Sequence, residues 1–219
     1  MEKVFVAMSG GVDSSVTAAL LKEEGYELIA GTMNVLPNYE KNDSTFDSDV
    51  KDAKIIAENL DIPHYSFNLE KEFQENVIDY FVDEYSNSRT PNPCIRCNKT
   101  IKFDILLKKA LDLGADYIAT GHYAKIEHLV DGRNKLLKAE DEYKDQSYML
   151  YELNQFQLAH TLMPLGNYKK EKVREMAQDF DLPIHDKADS QEICFIPDDD
   201  YSRFLDENYP EIAEKGPIL

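Results

Sequence analysis

Short runs of consecutive apolar residues alternate along the chain with longer stretches in which apolar residues recur every three or four positions. Val4-Phe5-Val6-Ala7-Met8 reads as a buried strand, broken by Ser9-Gly10-Gly11-Val12-Asp13-Ser14. Val16, Ala19 and Leu20 then set a helical spacing from Ser15 to Glu24, with Gly25 as its stop. Glu27–Met33 is a second strand, and 34–48 is a polar loop. Ala53, Ile56, Ala57 and Leu60 predict a helix over 49–60 that ends before Pro63. A brief strand at His64–Phe67 leads to an amphipathic helix over roughly 70–85. An irregular stretch from Ser86 to Asn98 precedes a helix from Lys99 to Leu113, and Asp116–Thr120 is a fourth buried strand. Ala124–Val130 and Lys135–Ala139, parted by Asp131-Gly132, predict a hairpin. Residues 145–180 read as mostly helical, and Leu182–Asp200 as a polar loop. This succession predicts an α/β fold, a doubly wound parallel sheet of Rossmann-like type followed by a mostly helical segment.

Composition narrows the class. The 219 residues are 42% hydrophobic, which suffices for a core, and no apolar run approaches the length of a membrane span. The opening Met1-Glu2-Lys3-Val4 enters a strand pattern directly and lacks the layout of a secretory signal, so the cytoplasm is the expected compartment. Three cysteines are too few for a disulfide scaffold and suit reactive thiols or metal ligands. The net charge of −18 argues against a polyanionic partner. Its distribution changes that conclusion. Between Ser88 and Ala110, Arg89, Arg96, Lys99, Lys102, Lys108 and Lys109 face a single acid, Asp104, a net +5. Lys99 and Lys102 are the expected phosphate contacts, whereas Lys108 and Lys109 suit an ordinary solvated helix face.

Two features carry chemistry. Ser9-Gly10-Gly11-Val12-Asp13-Ser14-Ser15 lies at a strand-to-helix junction, where paired glycines let the backbone approach a ligand and helix-start N–H groups bind anions. It lacks both the Gly-Lys-Ser/Thr ending of the common P-loop and the spaced glycines of the dinucleotide fingerprint. Asp13 is an oxygen donor suited to orienting Mg²⁺ on a pyrophosphate. The second feature is Thr90-Pro91-Asn92-Pro93-Cys94-Ile95-Arg96-Cys97, a Cys-x-x-Cys in a proline-stiffened loop, together with Cys194. Arg96 and the following helix start would lower the thiol pKa values. Sulfur chemistry, a zinc site short of one ligand, and inert core cysteines are the competing readings, the last plausible for Cys194 between Ile193 and Phe195.

The Ser9–Ser14 string looks like the PP-loop of the ATP pyrophosphatase superfamily. With Arg89-Thr-Pro-Asn-Pro93, Thr120-Gly-His-Tyr123, Lys144-Asp-Gln-Ser-Tyr148 and Ser190-Gln-Glu-Ile-Cys-Phe195, the chain resembles the tRNA-specific 2-thiouridylase family, whose fold is of the PP-loop or HUP type. The resemblance implies an enzyme that replaces the 2-oxygen of the wobble uridine of tRNA by sulfur, at the expense of ATP. It implies ATP contacts from Ala7, Met8, Ser9, Gly10, Gly11, Val12, Asp13, Ser14, Met33 and Gly121. It implies tRNA contacts from Asn92, Pro93, Cys94, His122, Lys144, Asp145 and Gln146. Cys97 matches the nucleophile and Cys194 the persulfide carrier, loaded by a sulfur donor. Many members carry Asp where this chain has Cys94, so Cys94, Cys97 and Cys194 could instead ligate a [4Fe–4S] cluster that accepts inorganic sulfide. Another PP-loop ligase or amidotransferase, and a non-catalytic nucleotide- or metal-binding fragment, are further readings. A catalytic domain over 1–165 and a segment over 166–219 that opens a tRNA-binding region are the expected divisions. Family members enter a further small domain and a C-terminal β-barrel close to where Leu219 lies.

Overall fold

The computed structural model describes residues 1–36, 44–187 and 193–212, with the backbone alone for 44–48. Five parallel strands form the sheet: β1 (Lys3–Ala7), β2 (Glu27–Asn34), β3 (His64–Asn68), β4 (Tyr117–Ala119) and β7 (Thr161–Leu162), in the order β3-β2-β1-β4-β7. β1 runs beside β2 with Lys3 opposite Glu27 and Ala7 opposite Gly31, and beside β4 with Val4 opposite Tyr117. The order reverses direction between β1 and β4, which opens a crevice at their carboxyl ends. The hairpin β5 (Ala124–His128) and β6 (Asn134–Lys138) is antiparallel and separate from the sheet.

Successive β1 side chains point to opposite faces, and each face has its own core. Val4 and Val6 pack with α1 (Val12–Glu23), α2 (Ser44–Asn59) and α8 (Lys170–Asp179) through Val16, Ile56, Val173 and Ala177. Phe5 faces the other way, onto Phe103, Leu106, Leu107 and Ala110. A third core joins Phe73, Phe81, Ile101, Phe195 and Phe204 beyond the sheet edge. Phe195 is wedged there, with ring centroids 5.8 Å from Phe73, 5.4 Å from Phe81 and 5.4 Å from Phe204.

Three expectations are corrected. The stretch 86–98 is not irregular to its end: Asn92 caps a helix whose first turns are α5 (Pro93–Cys97), and its Oδ1 accepts from the Ile95 N–H at 3.2 Å. The helix continues in π form over Asn98–Leu106 and closes as α6 (Leu107–Asp112). Proline at the first helical position replaces an N–H that would have no partner, so Asn92-Pro93 starts a helix instead of stiffening a loop. Residues 145–180 are not mostly helical. They comprise a 3-10 turn (Ser147–Met149), α7 (Gln155–Ala159), the edge strand β7, a second 3-10 turn (Pro164–Asn167) and α8. Two strand residues are too few for a period to register. The polar loop over 34–48 is shorter than expected: β2 reaches Asn34 and α2 begins at Ser44, while 37–43 lie outside the described residues. The expected helix over 70–85 is continuous across α3 (Glu70–Phe73), a π segment (Gln74–Ile78) and α4 (Asp79–Ser86). The remaining helix, α9 (Tyr201–Asn208), carries Phe204.

Candidate active site

The glycine-rich loop leaves β1 at the carboxyl edge of the sheet, and the Met8 N–H donates to the Gly31 carbonyl at 2.8 Å, tying the loop to β2. Gly10 has φ +74°, and a Cβ there would lie 2.2 Å from the Asp49 carbonyl, so only glycine fits. The loop is braced from within: the Ser9 N–H donates to Ser14 Oγ at 3.2 Å, and the Ser15 hydroxyl donates to the Gly11 carbonyl at 2.8 Å. Gly121 follows β4 and rests against this loop, since a Cβ on it would sit 2.9 Å from Asp13 and Ser14 atoms. Met33, near the end of β2, is half-buried beside both the second and third cores. The residues expected to hold ATP thus line one edge of the sheet.

Two lysines that the sequence did not single out reach this loop. Lys170 opens α8, is 93% buried by its 7% exposure, and donates through Nζ to both oxygens of Asp13 at 2.7 and 2.9 Å. The Tyr123 hydroxyl donates to the same carboxylate at 2.8 Å. The loop lacks a lysine of its own, and α8 brings one from 157 positions away. Lys187 Nζ donates to the Gly10 carbonyl at 3.1 Å, to Asp49 at 2.7 Å and to Asp52 at 2.6 Å. Neither lysine left a signal in the sequence, because no spacing rule locates a partner 157 or 177 positions away.

The thiols form the second half of the site. Cys94 and Cys97 stand three apart in α5 and so share a face, both half-buried. Cys97 and Ile193 both pack on the third core, while Phe195 in that core anchors Cys194, whose own residue is exposed. Cys194 is therefore not an inert core cysteine. The expectation of a lowered thiol pKa is overturned at Cys97. Burial pushes Cys97 up, and the charge of Lys102 only partly opposes it. The protein crowding the Cys194 sulfur, and then the charges of Cys97 and Cys94, push that thiol up to about 12. Arg96 does not supply the expected field. Its guanidinium donates to the Asn76 carbonyl at 3.1 Å and lies over the Tyr80 ring at 5.3 Å.

His122 joins the two halves. It follows Gly121 directly, is buried, and shares a 2.8 Å hydrogen bond between Nδ1 and Thr120 Oγ1. Burial, with the charge of Lys102, holds it well below its ordinary value, so it is neutral at physiological pH. Lys102 thus acts on His122, Cys97 and Cys194 together. Asn98, next to Cys97, is 1% exposed; its Nδ2 donates to the Met149 carbonyl at 3.2 Å and its Oδ1 is buried with no partner.

Asp145 and Gln146 shape the neighbouring loop. Asp145 accepts from the Ala139 N–H and the Ser147 hydroxyl at 2.8 and 2.7 Å, and Gln146 Oε1 accepts from the Tyr123 N–H at 3.0 Å. The Lys144 N–H donates to the Asp141 carbonyl at 3.2 Å. Ser190, Gln191 and Glu192 lie outside the described residues.

The model of the tRNA methyl transferase HUP domain family matches residues 2–198 of the chain. Two curated proteins of high similarity are both named tRNA-specific 2-thiouridylase MnmA. One, from Halothermothrix orenii, is 61% identical over all of this chain, and the other, from Clostridium kluyveri, is 58% identical. The chain belongs to the tRNA-specific 2-thiouridylase family. It spans 63% and 62% of the length of those two relatives. Among solved structures, the U34-tRNA thiolase NcsA from Methanococcus maripaludis, described with its [4Fe-4S] cluster, aligns with 96% of this chain and 67% of its own at TM-score 0.54 and 22% identity. A 4-thiouridine synthetase–RNA complex with bound ATP aligns with 96% of this chain and 51% of its own at TM-score 0.53 and 16% identity. At those identities the likeness establishes the shared HUP/PP-loop fold.

Among the described residues, which include all three cysteines, no group of three or more His, Cys, Asp or Glu side chains is arranged to hold a metal ion. The thiols as placed do not fit a three-ligand iron site. Asp13 is an oxygen donor that fits Mg²⁺, with Lys170 and Tyr123 as its present partners. Among the described residues no helix is long and apolar enough to cross a membrane.

Proposed function

We propose that this chain performs ATP-dependent sulfur transfer to the wobble uridine of tRNA in the cytoplasm, making 2-thiouridine. The observation that carries the reading is continuity. Gly121 lies against the nucleotide loop, His122 follows it, and Lys102 couples His122 to Cys97 and Cys194. In this reading residues 7–14, Met33 and Gly121 hold ATP. Asn92, Pro93, Cys94, His122, Lys144, Asp145 and Gln146 face the tRNA. Bound Mg²⁺ would neutralise pyrophosphate charge, with Asp13 as its oxygen donor and Lys170 as a second cation beside it.

A carbonyl oxygen is a poor leaving group, so the uridine 2-oxygen attacks the α-phosphate and pyrophosphate leaves. The terminal sulfur of a Cys194 persulfide attacks the ring carbon, and AMP departs with the oxygen. The Cys97 thiolate then attacks the Cys194 sulfur, which forms a Cys97–Cys194 disulfide and frees 2-thiouridine. An external dithiol reduces that disulfide. The raised thiol pKa values mean that both cysteines rest as protonated thiols and that Lys102 favours the thiolate when the proton leaves. A target base must also leave its stack to reach this site.

The test is 2-thiouridine formation and pyrophosphate release with this chain, tRNA, ATP and a persulfide donor. Cys97→Ser and Cys194→Ser are expected to abolish thiolation, and Cys94→Ser to retain most of it. Loss with Cys94→Ser together with stoichiometric iron would favour the cluster, and no thiolation with ATP binding intact would refute the reading.

A further inference from the structure

Four of the ten strongly exposed large apolar side chains among the described residues fall within fourteen positions: Tyr143, Tyr148, Tyr151 and Phe156. Singly scattered apolar side chains are ordinary on a surface, whereas a concentration of aromatic rings marks a contact. This segment is pinned to the thiol-bearing helix at three points. Asn98 Nδ2 donates to the Met149 carbonyl at 3.2 Å, Lys99 is ion-paired with Glu152, and Gln157 Nε2 donates to the Lys99 carbonyl at 3.4 Å. The Tyr151 hydroxyl donates to Glu152 at 3.1 Å, which leaves its ring 65% exposed one step from Lys99. Tyr148 is 54% exposed one residue before the clamped Met149. Arg96, three positions before Lys99 on the same continuous helix, lies over the Tyr80 ring at 5.3 Å.

Exposed rings beside a basic helix match the chemistry of unpaired RNA bases, which stack on tyrosine and on guanidinium planes while their phosphates meet cations. We propose that Tyr151 and Tyr148 form a stacking platform for the unpaired bases that flank the target uridine, and that Arg96 over Tyr80 extends it. The inference rests on the RNA-substrate reading above and adds to it the surface that holds the loop open. A base flipped towards Cys97 leaves its neighbours without a stacking partner. Rings on the segment tied to Asn98 and Lys99, the two residues after that thiol, replace what they lose.

The experiment uses the 219-residue chain and an anticodon stem-loop RNA carrying 2-aminopurine beside the uridine. Stacking on a ring quenches 2-aminopurine fluorescence. Wild type and Tyr151→Phe are expected to quench it equally. Tyr151→Ala and Tyr148→Ala are expected to lose quenching and to raise Kd about 5- to 100-fold. Tyr151→Phe removes the Glu152 hydrogen bond and keeps the ring, so it separates stacking from a role in positioning Glu152. Alanine variants that bind and quench as wild type does would overturn the platform. So would variants that bind RNA normally and lose only stimulation by a sulfur-donor protein. Quenching by wild type without 2-thiouridine formation would sink the sulfur reading and uphold the platform. Thiolation with unchanged binding by the alanine variants would do the reverse.

Discussion

Burial sets the protonation of the site, and Lys102 is the cation whose charge reaches all three of its shifted groups. Its charge opposes the burial that raises Cys97 and Cys194, and it adds to the burial that lowers His122. The sign for Cys97 is that burial favours the neutral thiol. Its alkylation by iodoacetamide should therefore keep rising about tenfold per pH unit beyond the ordinary thiol value of 9.0. Lys102→Met removes the opposing charge, so alkylation at a fixed pH should slow about three- to tenfold. Mass-spectrometric rates for the Cys97 peptide from pH 7 to 10 would show it, and an unchanged profile would remove Lys102 from the account. The kinds of side chain that do chemistry were legible in the sequence, and their protonation was not. Arg96 is adjacent to Cys97 in sequence but turns to Asn76 and Tyr80, because helical neighbours one position apart point about 100° apart.

At the scale of elements, α8 depends on a cap from elsewhere. Lys169 precedes it without a side-chain cap, and Asp141, after the hairpin, accepts from the Lys170 N–H at 2.9 Å. Asp141 also accepts from Tyr143 and Lys144 N–H groups at 3.0 and 3.2 Å. These backbone donors, led by Lys170, lower its pKa below the ordinary carboxylate value. Asp141→Ala should cost about 1–3 kcal/mol, a fall in Tm of about 3–10 °C at neutral pH. A lowered carboxylate pKa stabilises the fold above the unfolded value and loses that contribution as pH falls through the folded one. The difference from wild type should therefore narrow below about pH 4. Calorimetry at pH 7 and in acid would measure both. The strands and the helices over 12–23 and 49–59 were legible because their cores face one way per element. The helix start at Asn92-Pro93 was readable by its cap chemistry, as was the Asn154–Gln157 capping box of α7. The two-residue β7 left no periodic trace.

For the whole molecule, the basic island is less positive in space than in sequence. Arg89 pairs with Glu84, Lys108 with Asp104, and Lys99 with Glu152, while Lys109 lies over the Phe67 ring at 5.9 Å. Two of the acids come from outside the segment, drawn from a chain whose total is −18. RNA binding should then depend only modestly on salt. A log–log slope near −2 corresponds to about three phosphate contacts at roughly 0.7 each for single strands. Titration of the stem-loop RNA from 50 to 300 mM salt would give that slope. A value beyond about −4 would mean that the paired lysines let go of their carboxylates to meet phosphate. By itself the sequence determined much of the succession of strands and helices, the glycine-rich turn between the first strand and helix, and the motifs that resemble those of the tRNA-specific 2-thiouridylase family. Each of these is written in local spacing and residue type. Only the tertiary structure decided that Lys170 and Lys187 meet the loop from 157 and 177 positions away, and that burial raises the Cys97 thiol against the charge of Lys102. Those facts depend on distance and solvent exclusion, which exist only once the elements have packed.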